Sequence, residues 1–455
     1  MTADLLIHNA LLVATVDDAR REIPGGWIAI TGGFITAVGS SLDPLPEAKE
    51  TRDASGCLVT PGLINTHHHL YQNLTRAYPP MTSSPLFGWL QTLYPLWRVL
   101  NEESVFTSAW VGLAELALSG CTTSTDHLYL HPRGGGDLLA AEITAAQDLG
   151  MRFHPTRGSM SLSQKDGGLP PDDVVQEDDE ILLQCREAVE RHHDRSFGAM
   201  TRIALAPCSP FSVTKDLMIR TAQLAEELDV RLHTHFAENS EDDDFSLATF
   251  GCRPFEYLQE VGWLSDRTWV AHCVMPNPDE IVHLGRAGVG AAHCPSSNLI
   301  LASGISPIVD LRRAGVHVGL GVDGSSSADS ASLWLEARQA MLLAKLRNGA
   351  DAADARMALE VATIGGAGCL GRLGEIGQIA VGQVGDIAIW DITGVRFAGA
   401  IADPVEAWLR CGPVSVRDTI VHGKFVVRDA QLVSNKVDEM LTVHTKLSRQ
   451  MQQLD

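Results

Sequence analysis

The sequence between Gly62 and Gly371 repeatedly alternates a short apolar run with a longer segment of helical periodicity. Helix and strand pairs are predicted at residues 104–119 with 121–126, 179–191 with 203–206, and 215–227 with 231–236, and further strands at 268–272, 290–293 and 317–321. This alternation is typical of an α/β fold with parallel strands, because parallel neighbours must be joined by a crossover, usually a helix. Eight such units would close a (β/α)8 barrel.

The two ends of the chain have a different pattern, with short strand-like segments and tight turns. Strands are predicted at residues 4–12, 27–31 and 34–39, and again at 386–391 and 418–428. We therefore expect residues 1–60 and 373–435 to form a composite β-sandwich beside a barrel of residues 61–372, with a C-terminal helix at 436–455. A chain of 455 residues is long enough for this, since such barrels take about 200–400 residues with insertions.

Charge and cysteine content narrow the range of partners. The 56 acidic residues against 35 basic ones give a net charge of −21, which disfavours nucleic acid and anionic membranes. The nine cysteines are scattered without a C-x-x-C pair, as expected of free thiols in a reducing compartment. Because no run of 18 apolar residues occurs either, we expect a cytoplasmic protein that acts on a small molecule. The sequence leaves open whether the protein forms a homo-oligomer.

An apolar run that ends in histidines is the strongest local signal. The run at residues 59–65 leads into His67, His68 and His69. Side chains alternate along a strand, so His67 and His69 should project from one face and His68 from the other. At the C-terminal end of a barrel strand, that face lies at the active-site mouth. Two neutral imidazoles at this spacing suit a metal ion such as Zn²⁺.

Three further predicted strands end in residues that can bind a metal. They are His233 and His235 on one strand, His272 on the next, and Asp323 on a later one. Because the C-terminal ends of parallel barrel strands all meet at one face, these side chains should converge there with the first two histidines. The sequence therefore predicts a metal site at this end of the barrel.

Four motifs together resemble the amidohydrolase superfamily. They are P-G-L-I-N-T-H-H-H at residues 61–69, H-x-x-E at His235 and Glu238, A-H-C around His272, and G-V-D-G around Asp323. The similarity extends over nearly the whole chain to the cytosolic aminohydrolase branch, which includes guanine deaminases, adenosylhomocysteine deaminases and triazine hydrolases. The resemblance implies a distorted TIM-type (β/α)8 barrel with the β-sandwich described above. It also implies that His235, rather than His233, binds the metal.

The resemblance further implies how many metal ions are present. Members with two metals bridge them through a carboxylated lysine on the fourth strand, and the predicted fourth strand here, residues 203–208, has no lysine. We therefore expect one Zn²⁺ per chain, held by His67, His69, His235 and Asp323. The same ligands also accept Fe²⁺, Mn²⁺ or Co²⁺. His272 is expected to contact water or substrate rather than the metal.

Catalytic roles follow from the same resemblance. Zinc lowers the pKa of a bound water to about 7, which makes hydroxide available at neutral pH. Asp323 is expected to act as the general base, and Glu238 to pass a proton to a ring nitrogen of the substrate. His272 is expected to stabilise the oxygen of the tetrahedral intermediate. The predicted reaction is the hydrolytic removal of an amino group from a heterocyclic base.

A closer resemblance, to 8-oxoguanine deaminases, is carried by residues 67–76 and 86–97. Gln91 and Cys208 stand where adenosylhomocysteine deaminases tend to have glutamate and histidine, which favours a free base over a nucleoside. Together with Gln72 and Trp89 they are the candidate substrate-binding residues. The resemblance therefore predicts conversion of 8-oxoguanine to urate and ammonia.

Several other functions remain open at this point. The same site could deaminate guanine or isocytosine, or act as an amino- or chlorohydrolase on a triazine of the atrazine type, because specificity depends on the barrel loops. A more distant alternative is a non-catalytic barrel that serves as an assembly module. Proteins of that kind typically lose their metal ligands, whereas this chain keeps the whole set, so we expect an enzyme.

Overall fold

A computed structural model describes residues 2–454 of the chain. Its strands are β1 (Ala3–His8), β2 (Leu12–Ala14), β3 (Glu22–Pro24), β4 (Trp27–Thr31), β5 (Phe34–Gly39), β6 (Ala48–Asp53), β7 (Cys57–Pro61), β8 (Leu63–Asn65), β9 (Cys121–Leu128), β10 (Arg152–Ser159), β11 (Ala204–Pro207), β12 (Arg231–Phe236), β13 (Thr268–His272), β14 (Gly290–His293), β15 (His317–Leu320), β16 (Ile387–Asp391), β17 (Asp418–Val421), β18 (Lys424–Arg428) and β19 (Gln431–Leu432).

The α-helices connect and cover these strands. They are α1 (Leu86–Trp97), α2 (Glu102–Leu118), α3 (Leu138–Leu149), α4 (Asp178–His192), α5 (Lys215–Leu228), α6 (Ser240–Phe250), α7 (Pro254–Glu260), α8 (Pro278–Ala287), α9 (Pro295–Ile300), α10 (Ile308–Arg313), α11 (Ser325–Ala328), α12 (Leu333–Asn348), α13 (Ala355–Glu360), α14 (Gly366–Cys369), α15 (Pro404–Arg410) and α16 (Val437–Met451). Within residues 2–454, no helix is both long enough and apolar enough to cross a membrane.

Strands β8 to β15 pair in sequence order and close into a parallel barrel. Helices α2, α3, α4, α5, α8 and α10 each lie in a connection between consecutive barrel strands. Strands β9, β10, β13 and β14 are buried along their whole length, as expected when helices cover a barrel whose interior is filled by side chains. The prediction of a (β/α)8 barrel is confirmed.

One barrel strand, β10, was missed by the sequence analysis. It contains Arg152, His154, Pro155 and Arg157, so no apolar run marks it. All eight of its residues are nevertheless buried. Arg152 and Arg157 are accommodated because carboxylate, carbonyl and amide oxygens elsewhere in the chain accept their hydrogen bonds, a constraint that periodicity alone does not reveal.

The apolar run at residues 59–65 was predicted as one strand, but it divides at Gly62. The part before Gly62, β7, pairs with β16, and the part after it, β8, enters the barrel. A Cβ at Gly62 would lie 2.2 Å from the side chain of Thr122, so the crossing between the two sheets requires glycine.

Both ends of the chain contribute to a β-sandwich, as predicted. One sheet has the order β5-β4-β1-β6, and the other has the order β19-β18-β17-β16-β7-β2-β3. A core of aliphatic side chains lies between them, made up largely of Leu5, Ile7, Val13, Ile28, Val59, Ile387, Ile389 and Ile420. The domain boundaries at residues 60, 372 and 435 stay predictions.

The C-terminal helix α16 packs against α2 and against a short 3₁₀ turn at Leu70–Thr75. His444 Nε2 donates a hydrogen bond of 2.7 Å to Asn73 Oδ1, and Ser448 Oγ donates one of 2.7 Å to the carbonyl of Leu74. The end of the chain therefore braces the turn that follows the first barrel strand.

A buried ion pair joins the barrel to the sandwich. Arg152 on β10 donates two hydrogen bonds, of 3.0 and 3.1 Å, to the carboxylate of Asp386, which directly precedes β16. Both side chains are almost fully buried. Arg152 also donates to the carbonyls of Gly198 and Ala199, and Asp386 accepts from the backbone N–H of His422. The two opposite charges of the pair therefore balance each other, and further hydrogen bonds in the interior stabilise both side chains.

We expect Asp386→Ala to lower the free energy of unfolding by about 3–5 kcal/mol, because it leaves the Arg152 guanidinium buried without a counter-charge. Denaturant-induced unfolding followed by circular dichroism measures the loss. The control is Asp4→Ala, which breaks the exposed Lys49–Asp4 pair and should cost less than about 1 kcal/mol. Equal losses for the two variants would show that the buried pair does not hold the two parts together.

Candidate metal centre and active site

The predicted ligands lie together at the C-terminal ends of the barrel strands. His67 and His69 follow β8, His235 is near the end of β12, and Asp323 lies just beyond β15. The predicted catalytic residue His272 is the last residue of β13. Since parallel strands open to the same face at these ends, four separate parts of the chain supply side chains to one cluster, in which His235 is half-buried and the others are buried.

The distances within the cluster match those around a tetrahedral metal ion. Asp323 Oδ1 is 3.3 Å from His67 Nε2 and also 3.3 Å from His69 Nε2. His69 Nε2 and His235 Nε2 are 3.3 Å apart. A tetrahedral zinc ion with bonds of about 2.0–2.1 Å separates its ligand atoms by about 3.3 Å.

Hydrogen bonds on the far side of each ring determine which nitrogen is free. His69 Nδ1 donates to the carbonyl of His127 at 2.8 Å, and His235 Nδ1 donates to the carbonyl of Cys208 at 2.6 Å. A carbonyl only accepts, so each Nδ1 carries the hydrogen and each Nε2 of a neutral ring has a bare lone pair. Two bare lone pairs 3.3 Å apart repel unless a cation lies between them. The donor set therefore fits a divalent metal.

Burial keeps these imidazoles in the neutral form that binds metals. It holds the pKa of His67 well below the usual value and lowers the pKa of His235 to about 3. His67 Nε2 is a buried atom without a hydrogen-bond partner among residues 2–454. An unpaired buried nitrogen costs free energy that coordination would recover.

Glu238 and His272 lie beside the cluster and face each other. Glu238 Oε2 is 3.5 Å from His272 Nε2, and burial raises the pKa of Glu238 to about 7. Burial lowers the pKa of His272, but the nearby carboxyls of Glu238 and Asp323 outweigh it and raise that pKa above its usual value. His272 Nδ1 donates to Asn298 Oδ1 at 3.0 Å, which orients the ring. A carboxyl with a pKa near neutrality can both donate and accept protons.

His272 is also close enough to His67 and Asp323 for the three side chains to bind one metal ion. Its ligand atom and those of His67 and Asp323 are all within 4.8 Å of one another. The separation between His272 Nε2 and Asp323 Oδ2, 3.9 Å, is longer than the 3.3 Å found among the other ligand atoms. The geometry therefore places His272 at the edge of the cluster, next to Glu238.

Left-handed backbone conformations recur at these strand ends. Ala237, His272, Cys273 and Asp323 have φ angles of 48°, 68°, 49° and 59°. Such values cost roughly 1–3 kcal/mol each for a residue with a Cβ, and the rest of the fold must stabilise them. These four residues lie where the chain leaves the barrel strands and where side chains enter the pocket.

The pocket above the cluster has a largely apolar wall with few polar groups. Trp89, Leu90 and Phe211 contribute to the wall, and Tyr129 and Ser327 lie nearer the cluster. Such a composition suits a flat heterocyclic ligand that is fixed by a small number of hydrogen bonds.

Of the predicted substrate-binding residues, Gln72, Trp89 and Cys208 line the pocket, but Gln91 does not. Gln91 is exposed on α1, because the buried residues Trp89, Leu90 and Leu93 occupy the inward side of that helix. The structure therefore does not bring Gln91 together with the other three residues, and its role in substrate binding stays a prediction. Burial raises the pKa of the Cys208 thiol to about 12, so it lines the pocket as a neutral group.

Gln72 has an unusual environment. Its Oε1 is buried and has no hydrogen-bond partner among the described residues. A Cβ at Gly324 would lie 1.8 Å from this oxygen, so the amide occupies space that only glycine leaves free. Gln72 therefore presents an unpaired acceptor at the pocket.

Sequence reasoning missed several residues around the site. His127 lies at the C-terminal end of β9, one residue before its last, and its ring stacks on that of His235. Asn298 orients His272. His233, named above as a strand-end residue that can bind a metal, contacts His67 instead. The strand-end position gave a signal for His127, whereas Asn298 lies on α9 and nothing in the sequence marked it.

Comparison with known proteins places the chain in a family. The Amidohydrolase family model matches residues 58–426. The chain is 45% identical to an 8-oxoguanine deaminase from Pseudomonas aeruginosa, over 96% of this chain and 97% of that one. It is 33% identical to a hydroxydechloroatrazine ethylaminohydrolase from Pseudomonas sp. strain ADP, over 94% and 91%.

A solved structure is also similar along the full length. Atrazine chlorohydrolase from Arthrobacter aurescens TC1, complexed with zinc, superposes with a TM-score of 0.93 at 34% identity, over 98% of this chain and all of that one. The predictions of an amidohydrolase resemblance, of the barrel and of an enzyme are confirmed. The chain belongs to the amidohydrolase family.

Proposed function

We propose that this protein is a zinc-dependent deaminase that hydrolyses 8-oxoguanine to urate and ammonia. The observation that carries the reaction class is the position of Glu238 and His272, 3.5 Å apart, beside a cluster of three histidines and an aspartate. The full-length similarity to the deaminase from Pseudomonas aeruginosa supports the substrate.

One zinc ion held by His67, His69, His235 and Asp323 accounts for the donor set described above. When bound, zinc lowers the pKa of a coordinated water to about 7 and polarises oxygen atoms in contact with it. The fourth barrel strand, β11 (Ala204–Pro207), has no lysine that could bridge a second ion.

Three residues handle the protons of the reaction. Glu238 protonates a ring nitrogen of the base, which makes the carbon bearing the amino group electrophilic. Asp323 accepts a proton from the attacking water and delivers it to the departing amine, which leaves as ammonia. Glu238, left as a carboxylate, takes the remaining proton of the added hydroxyl as the C=O bond forms and is restored to its acid form. Protonated His272, which already donates its Nδ1–H to Asn298, donates its Nε2–H to the oxygen that adds to the carbon, and this stabilises the charge that develops there.

Recognition of the base falls to the pocket. The rings of Trp89 and Phe211 belong to a wall that suits a planar purine, and Gln72 Oε1 is an acceptor for a ring N–H. A free oxopurine offers such N–H groups along its edge. A pocket polar atom left unpaired would penalise any ligand that lacks a matching donor.

The rival function is hydrolysis of a triazine or of another amino-heterocycle, including guanine and isocytosine. The zinc-containing atrazine chlorohydrolase and the ethylaminohydrolase support it, since both are similar along nearly the whole chain. The identity to each of them is lower than that to the 8-oxoguanine deaminase, which favours the oxopurine. A non-catalytic assembly role has no support, because all the metal ligands and Glu238 are present at one site, with His235 half-buried and the others buried.

The cysteines support a reducing compartment for this enzyme. All nine are free thiols, and most are buried. Because free thiols persist where glutathione and thioredoxin keep them reduced, we propose a cytoplasmic location.

Purified protein should contain about one zinc per chain, and His67→Ala or His235→Ala should abolish tight binding, because each removes a ligand nitrogen from the cluster. Elemental analysis after removal of free metal measures the content. The control is His283→Ala, which removes an exposed histidine on α8 and should leave the zinc content unchanged. Two tightly bound ions per chain would contradict the single-ion assignment.

Glu238→Gln should keep its zinc but lose on the order of 10²-fold or more in turnover, because glutamine cannot exchange a proton with the substrate. Steady-state release of ammonia measures the rate. The control is Glu241→Gln, which removes a neighbouring carboxylate without touching His272 and should retain most of the activity. Turnover of Glu238→Gln at the wild-type rate would make Glu238 a structural residue.

The value of kcat/KM should be higher for 8-oxoguanine than for guanine, adenosine or S-adenosylhomocysteine. Loss of a matched polar partner can reduce kcat/KM by as much as about 10⁴-fold. Gln72→Ala should therefore shrink the preference over guanine while the zinc content stays near one. Gly324→Ala should act in the same direction, because its methyl group displaces the Gln72 amide.

A side-by-side kinetic comparison of these bases, with isocytosine and an aminotriazine added, decides between the candidate functions. If guanine, a nucleoside or the triazine is the best substrate, the proposal of 8-oxoguanine is wrong, although a zinc-dependent hydrolase would remain.

A further inference from the structure

His233 lies two residues before the proposed ligand His235, on the same strand, β12. Its side chain is 1% exposed and makes two hydrogen bonds. Nδ1 is 2.9 Å from the carbonyl oxygen of Trp269, its register partner on β13, and Nε2 is 2.8 Å from Nδ1 of His67. The ring therefore bridges a backbone carbonyl and a proposed ligand.

The direction of both hydrogen bonds follows from the chemistry of the carbonyl. The Trp269 oxygen can only accept, so the hydrogen of a neutral His233 ring is on Nδ1. His233 Nε2 then has a lone pair, and the hydrogen between the two imidazoles belongs to His67 Nδ1. This leaves His67 Nε2 without a hydrogen and directed at Asp323 Oδ1, 3.3 Å away. That is the tautomer a metal requires.

Trp269 holds both ends of this arrangement. Its indole stacks on the His233 ring, with centroids 4.5 Å apart and planes at 17°. Its Nε1 donates a hydrogen bond of 3.0 Å to the carbonyl of Thr66, the residue before His67. One fully buried side chain thus fixes the plane of His233 and the backbone that leads to His67.

We infer that His233 is a positioning residue of the metal centre, which fixes the tautomer and the orientation of His67 through a relay anchored on Trp269. Of the three histidines in the proposed ligand set, His69 and His235 donate directly to backbone carbonyls, whereas His67 donates to a side chain. A single substitution of His233 can therefore remove the hydrogen-bond acceptor of His67, whereas no substitution removes the backbone carbonyls that accept from His69 and His235. The inference rests on the proposed function only in taking His67 as a zinc ligand.

Two variants of similar length separate hydrogen bonding from packing. In His233→Gln the carboxamide oxygen can accept from His67 Nδ1 while its NH₂ donates to Trp269, whereas His233→Met fills similar space without either bond. We expect His233→Met to weaken zinc binding by about 10–100-fold, as loss of a ligand's hydrogen-bond partner does, and His233→Gln to stay within about threefold of wild type. Competition with a chromophoric chelator measures the affinity, and the visible spectrum of the Co²⁺ form reports the ligand geometry.

The matched control is His154→Met. His154, on β10, is equally buried and its ring is 6.0 Å from that of Trp269, but its nitrogens make no hydrogen bond among residues 2–454. Zinc affinity should not change in this variant. Equal losses in His154→Met and His233→Met would show a general loosening of the interior, and equal affinities for His233→Gln and His233→Met would show that the relay has no effect. Either outcome overturns the inference.

The tautomer can also be measured without substitution. In zinc-loaded wild-type protein with ¹⁵N-labelled histidine, we expect His233 to carry its hydrogen on Nδ1 and His67 to carry its own on Nδ1. A hydrogen on Nε2 of His233 would overturn the inference even if no variant folds. Neither measurement uses substrate. A failure to turn over 8-oxoguanine while the relay is observed would therefore contradict the proposed function alone.

Discussion

The lone pairs of His69 and His235, which face each other across 3.3 Å, impose the constraint on which the rest of the site depends. Neutral nitrogens at that distance repel, so the interior must hold them in place until a cation resolves the conflict. Backbone carbonyls of His127 and Cys208 do this from one side, and the barrel strands that carry those carbonyls are fixed by their parallel hydrogen bonds. The cluster is therefore formed at strand ends rather than by a flexible loop, and the carbonyls that orient its histidines are held in place by the hydrogen-bonded barrel.

The interior of this barrel is correspondingly polar at one end. Glu238, His272 and Asp323 are buried with the histidines, and two of these three residues adopt left-handed backbone conformations. Unpaired polar atoms and backbone strain both lower stability, and functional sites commonly retain such features because the chemistry requires them. The hydrogen-bonded contacts between barrel and sandwich, such as Arg152 with Asp386, supply rigidity at a distance from the reacting atoms.

The sequence was most informative where apolar runs end in histidine or aspartate, because burial and chemistry then mark the same positions. Strands β12, β13 and β14 match the predicted bounds for this reason. Burial and sequence pattern do not mark the same positions elsewhere in the chain. Strand β10 is buried but polar, since Arg152 has its partner more than 200 residues away. Gln91 fits a family position but lies on the exposed side of α1, and no pattern in the sequence indicates which side of a helix faces a pocket that distant segments create.

In the proposed function, substrate recognition and chemistry are supplied by different parts of the chain. The metal ligands come from strand ends, whereas Gln72 and Trp89 come from the 3₁₀ turn at Leu70–Thr75 and from α1. The turn is held from outside the barrel by α16, through the contacts of His444 and Ser448. Substitutions in the turn or in α1 can therefore change which edge of the substrate ring is hydrogen-bonded without moving the metal-binding side chains. Under the proposed function, the metal centre determines the reaction and the turn and helix determine the substrate, so that one barrel scaffold can serve enzymes that act on different rings.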